Sequence, residues 1–140
     1  MTPKVVFQGR GAVAGQDLRM TDPRIDPKLL YEVECLVIGP RYRVIEYVLR
    51  KGLESLQGEG AKRFLALISK PQSADSDKWN RRPLRLPHKL LAQVDELGEL
   101  GVDTRDRAVD ALLRLGTEAI RRRAGCVYVD ARTLEEINHQ

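Results

Sequence analysis

Apolar residues recur at three- and four-residue steps in three stretches of the chain. Val44, Ile45, Val48, Leu49, Leu53 and Leu56 form the first series. Leu90, Leu91, Val94 and Leu97 form the second, and Val109, Leu112, Leu113, Ala119 and Ile120 the third. Each predicts an amphipathic helix, because such steps fall on one face of a 3.6-residue turn. The other pattern is short alternation. Residues 31–38 alternate at first and end β-branched, which predicts a strand. Residues 81–86 and 126–129 predict two further strands, and Val5-Val6-Phe7 a short edge strand. Phe64 to Ile68 is apolar but too short for periodicity to separate strand from helix.

Punctuation sharpens these elements. Gly39-Pro40 ends the run 31–38 and opens the first helix, since proline suits a first helical turn. Pro87 ends the strand before the second helix. Gly101 lies just past that helix, where a left-handed residue is needed. Asp103 is the expected N-cap of the third helix, with Asp106 adding negative charge to its first turn. Arg121 to Arg123 complement its negative end, and Gly125 stops it. Thr133 to Ile137 reads as one helical turn. Residues 70–80 are polar and aperiodic, a linker.

Composition narrows the function classes. The chain has 140 residues, enough for one ordinary domain or two very small units. Its 24 Lys and Arg exceed 20 Asp and Glu, a net charge of +4 that mildly favours an anionic partner. No apolar run approaches a membrane span, and no secretory leader is visible, so a cytoplasmic location is expected. Cys35 and Cys126 read as reduced thiols, with a single disulfide as the minority alternative. Two isolated cysteines with His88 and His139 lack zinc-ligand spacing, so no metal or cofactor is expected. Gly9-Arg10-Gly11 lacks the Lys-Ser or Lys-Thr of a phosphate loop and reads as arm. No nucleophile, base and orienting group stand together, so an enzyme is not expected. Tyr42, Tyr47 and Trp79 read as packing residues, and His88 as exposed.

The informative constellation lies in the second half. A basic strand, Arg81-Arg82-Pro83-Leu84-Arg85-Leu86, stops at Pro87; a helix follows, then Gly101-Val102-Asp103-Thr104, then a longer helix. Residues 78–89 hold five basic residues and no acid. This resembles the ribbon-helix-helix family of bacterial DNA-binding proteins at Leu84, Leu86, Pro87, Leu90, Leu91, Val94, Leu97, Gly101, Val102, Asp103, Val109 and Leu112. The stretch departs from the family at Pro83 and Arg82 in the strand. It departs again at Asp103, where the family has Ser or Thr.

The resemblance implies a mainly α fold with a short antiparallel β-ribbon, possible also as two fused units like those of plasmid conjugation accessory proteins. In that picture 1–28 is an irregular arm, 29–70 a first strand-helix unit, 71–80 the linker, 81–124 the ribbon-helix-helix unit and 125–140 an acidic tail. It implies double-stranded DNA as partner, the ribbon entering the major groove from a homodimer or a tandem pair. Arg85 becomes the base reader; Arg81, Lys78 and Lys89 meet phosphates; Thr104 and Arg105 offer the start of the last helix to a phosphate. The implied role is transcription regulator or relaxosome accessory of a mobile element. The rival expectation is a protein-interaction module or antitoxin that grips a partner through its arm and tail.

Overall fold

The computed structural model describes residues 2–9, 17–70 and 78–137. Strand β1 is Val5–Gln8 and β2 is Leu18–Thr21. Helix α1, Pro27–Leu36, leads into β3, Val37–Ile38, and then into α2, Arg41–Glu54. Helix α3 is Glu59–Ser69 and β4 is Leu84–Pro87. Helix α4, His88–Glu96, passes through a 3-10 turn, Leu97–Leu100, to α5, Arg105–Arg121. The chain closes with β5, Val127–Asp130, and β6, Glu136–Ile137.

Two sheets form. The larger has the order β3-β1-β5-β6; β1 pairs parallel with β3 and β5, and β5 pairs antiparallel with β6. The smaller is the antiparallel pair β2-β4. Buried residues from β1 through β5 make one core, with Phe64, Leu49, Leu86, Leu90, Leu112 and Leu113 fully enclosed. Among the described residues no helix is long and apolar enough to cross a membrane.

The fold is therefore mixed α/β, and the expectation of a mainly α ribbon-helix-helix fold, single or tandem, is corrected by the four-stranded mixed sheet. Its central strand is β1, expected at an edge; Val5 is fully buried because β3 and β5 flank it on both sides. Most of the run 31–38 is helix rather than strand. Asp26 accepts from the Lys28 N–H at 3.0 Å and Pro27 opens the first turn, so Leu29, Leu30, Val33 and Leu36 fall on one buried face. Phe64 to Ile68 is helix. The N-cap of α5 is Thr104, whose hydroxyl accepts from the Arg107 N–H at 3.1 Å; Asp103 stands one residue too early. Residues 133–137 form a turn into β6, because Asp130 accepts from the Arg132 and Thr133 N–H groups and pulls the chain back on itself. Gly101 is left-handed at φ 96°, as expected past α4. Both cysteines are free thiols. Arg10 and Gly11, linker residues 71–77 and tail residues 138–140 lie outside the described residues.

An internal repeat underlies the helices. Lys28-Leu29-Leu30, Val33, Glu34 and Leu36 in α1 recur as Lys89-Leu90-Leu91, Val94, Asp95 and Leu97 around α4. Arg41, Arg43, Leu49, Arg50, Gly52 and Glu54 in α2 recur as Arg105, Arg107, Leu113, Arg114, Gly116 and Glu118 in and around α5. The contacts repeat too. Glu34 pairs with Arg41 and Asp95 with Arg105. Glu46 pairs with Arg50 and Asp110 with Arg114. Arg43 donates to the carbonyls of Ala131 and Arg132 after β5, while Arg107 donates to those of Ile68 and Lys70 at the C-terminal end of α3. Where α2 crosses α5, a β-carbon on Gly52 would overlap the Leu112 carbonyl oxygen, and one on Gly116 the Val48 carbonyl oxygen. Residue i meeting j while the equivalent of j meets the equivalent of i is the mark of a two-fold relation. Here the relation is approximate and lies within one chain.

Candidate nucleic-acid interface

The β2-β4 ribbon sits on this pseudo-two-fold. Leu18 pairs with Pro87, Arg19 with Leu86, Met20 with Arg85 and Thr21 with Leu84. The same register continues in both directions. His88 N–H donates to the Asp17 carbonyl at 2.9 Å, Arg82 N–H donates to the Pro23 carbonyl at 2.9 Å, and Arg24 bridges Arg81. In this register Asp22 stands opposite Pro83. Counting back from the repeated Lys-Leu-Leu, Arg24 is the counterpart of Arg85 and Asp22 of Pro83. The pair Asp22–Pro83 thus maps onto itself and marks the pseudo-dyad. Pro83 costs the ribbon nothing large there, since both strands are edges and Leu84 resumes the ladder.

Alternation gives the ribbon two faces. Leu84, Leu86, Pro23 and Ile25 point to the core and are buried. Arg85, Pro83 and Arg81 are exposed, on the same face as Met20, which is 61% exposed. The partner strand expected from a second copy or a second strand-helix unit at 29–70 comes instead from β2 in the same chain. Leu18-Arg19-Met20-Thr21 alternates over only four residues, and its apolar positions, Leu18 and Met20, are exposed, so the pattern does not announce which strand it joins.

Charge is concentrated here. Residues 17–24 and 78–89 contain Arg19, Arg24, Lys78, Arg81, Arg82, Arg85 and Lys89 against only Asp17 and Asp22. Those two strand segments thus account for the entire net positive charge, and the rest of the chain is almost balanced. Arg85 and Lys89 are exposed with no ion pair among the described residues. Lys89 lies in the first turn of α4, and its counterpart Lys28, also exposed, in the first turn of α1. Lys78 is exposed at the start of the segment leading to β4. Arg81 donates to the Asp22 carbonyl at 3.2 Å and stays 3.9 Å from its carboxylate. Arg19 reaches Asp17 at 3.3 Å.

Thr104 and Arg105 stand apart from these. The Thr104 hydroxyl caps α5, and the Arg105 guanidinium grips Asp95 through two hydrogen bonds of 2.9 and 2.7 Å. A contact of 3.5 Å from Arg105 to the Thr21 hydroxyl puts the start of α5 beside β2. The Arg105 hydrogen bonds hold the Asp95 carboxyl below the usual carboxylate range. A carboxyl whose folded value is depressed contributes stability above its unfolded value, about pH 4, and loses it as pH falls through the folded value. Asp95→Asn is therefore expected to lower stability by at most about 1 kcal/mol at neutral pH, the ceiling for an exposed pair. It should also shrink the loss of stability between pH 5 and pH 2, read from urea midpoints across that range.

Arg24, Met20 and Lys28 were not among the residues anticipated from sequence. The signal that finds Arg24 and Lys28 is the spacing Arg24-Ile-Asp-Pro-Lys28-Leu-Leu against Arg85-Leu-Pro-His-Lys89-Leu-Leu; Met20 is found only through its pairing with Arg85. Tyr47 is a buried packing residue, edge-on to Phe7 at 5.7 Å, whereas Tyr42 is substantially exposed. No protein-family model, curated protein or solved structure matches this chain.

Proposed function

We propose that the protein binds double-stranded DNA in a sequence-dependent manner, with the outer face of the β2-β4 ribbon in the major groove. The observation that carries this reading is the coincidence of the net positive charge with residues 17–24 and 78–89, the two segments that form and flank one exposed two-stranded ribbon. A major groove about 12 Å wide admits such a ribbon, and its alternate side chains then face base edges. Arg85 is the base reader, since a guanidinium can donate two parallel hydrogen bonds to guanine O6 and N7. Lys28 and Lys89, at the mouths of α1 and α4, meet phosphates on either side, and Arg81 and Lys78 extend that contact. The exposed Leu18 and Met20 favour one second reading, a protein partner docked on the same ribbon.

Fluorescence anisotropy with a mixed-sequence duplex over a salt series separates the two. Affinity is expected to fall linearly with salt on logarithmic axes. On a preferred site Arg85→Ala should weaken binding about 10- to 100-fold, the range for loss of one bidentate base contact. Lys89→Ala should weaken all sequences alike and flatten the salt slope by about one charge. Absence of binding at low salt would reject the DNA reading and favour the protein partner.

A further inference from the structure

We infer that a single chain reads an imperfect inverted repeat, with matching contacts from Arg24 and Arg85 and unlike contacts from Met20 and Arg81. This rests on the duplex-binding reading above and specifies its target. Both strands of the ribbon belong to one chain, so nothing forces its two ends to be alike. The pseudo-dyad between Asp22 and Pro83 relates Arg24 to Arg85 and Met20 to Arg81. The first pair is chemically identical. The second sets a thioether against a guanidinium.

The register turns this into a layout. Arg85 stands opposite Met20 at one end of the outer face, and Arg24 stands opposite Arg81 at the other. Four residues separate the two cross-strand pairs, about 13 Å at the rise of a strand. That corresponds to about four base-pair steps of roughly 3.4 Å. Arginine selects guanine, while an apolar side chain selects the thymine methyl group. One half-site should therefore present a guanine beside a thymine. The other should present a guanine beside a second hydrogen-bonding base edge, met by Arg81. The Asp22 carboxylate, 3.9 Å from Arg81, orients that guanidinium without closing on it.

The test is selection of the intact protein on a randomised duplex pool, followed by binding to the selected site and its variants. The expected consensus has guanines related by an approximate dyad about four steps apart and a thymine in only one half, with one chain per duplex by mass of the complex. Replacing that thymine by uracil removes only the methyl group. It should weaken wild type about fourfold, the scale of one buried methyl, and leave Met20→Ala unaffected. Met20→Arg should make the consensus more symmetric. A perfectly palindromic consensus bound by two chains would overturn the inference while leaving duplex binding intact. So would indifference to uracil in every half-site. Failure to enrich any duplex, with no salt-dependent binding, would instead reject the underlying reading along with it.

Discussion

Gly116→Leu is expected to shift the unfolding midpoint strongly, with a loss of several kcal/mol. Helices α2 and α5 cross so closely that a β-carbon at Gly116 meets the Val48 carbonyl oxygen, with Val48 Cγ1 at 3.0 Å and the Gly52 nitrogen at 3.1 Å. The obstacle is backbone, so no rotamer change removes it. The helices must separate, and the buried faces of both, including Val48, Leu49, Leu112 and Leu113, lose contact together. Overpacking a core costs about 1–3 kcal/mol where side chains can shift, and more is expected where they cannot. A loss of at least about 3 kcal/mol is large against a total of roughly 5–15 kcal/mol. Gly52→Leu should behave the same way, since it meets the Leu112 carbonyl oxygen in the equivalent place. Gly98→Ala is the control, because nothing lies within 4 Å of its added carbon. Urea unfolding followed by circular dichroism reads all three. An unchanged midpoint for Gly116→Leu would show that the two helices do not cross at this point.

Glu46→Ala is expected to be nearly as damaging, for an electrostatic reason. Glu46 is 2% exposed and Arg43 7% exposed. One Glu46 oxygen accepts from Arg43 and the other from Arg50 at 2.9 and 3.1 Å. Removing the carboxylate leaves Arg43 buried with only the carbonyls of Ala131 and Arg132 to answer its charge. Breaking a buried pair from one side costs about 3–5 kcal/mol. The equivalent change in the other repeat, Asp110→Ala, should cost only about 1 kcal/mol. Arg114 is one-third exposed and keeps Asp26 at 3.0 Å. Thermal melts of the two variants side by side make the comparison. Equal losses would show that burial does not decide the strength of these pairs.

Much of the candidate interface was legible without coordinates. The alternation of Leu84, Arg85 and Leu86 correctly placed Arg85 outside, because a strand reverses its side chains at each residue. The apolar faces of α2, α4 and α5 were equally plain, since each repeats over several turns. Helix α1 was misread because Tyr31 to Glu34 alternates locally. Only the longer series Leu29, Leu30, Val33, Leu36 and the Asp26-Pro27 start reveal the helical period. The expectation for Arg105 concerns the start of α5 as a phosphate site; that its guanidinium is held by Asp95 is not legible in the sequence, because Asp95 is ten positions away, on a different helix.

Sequence by itself determined the apolar faces of α2, α4 and α5 and the basic character of residues 78–89. These are local or periodic properties, set by neighbours along the chain. Tertiary structure alone decided which strand completes the ribbon, that β1 becomes the centre of a second sheet between β3 and β5, and that Met20 shares a face with Arg85. Strand partners are chosen by hydrogen bonds between segments far apart in the chain. Four-residue strands carry too little pattern to announce those partners in advance.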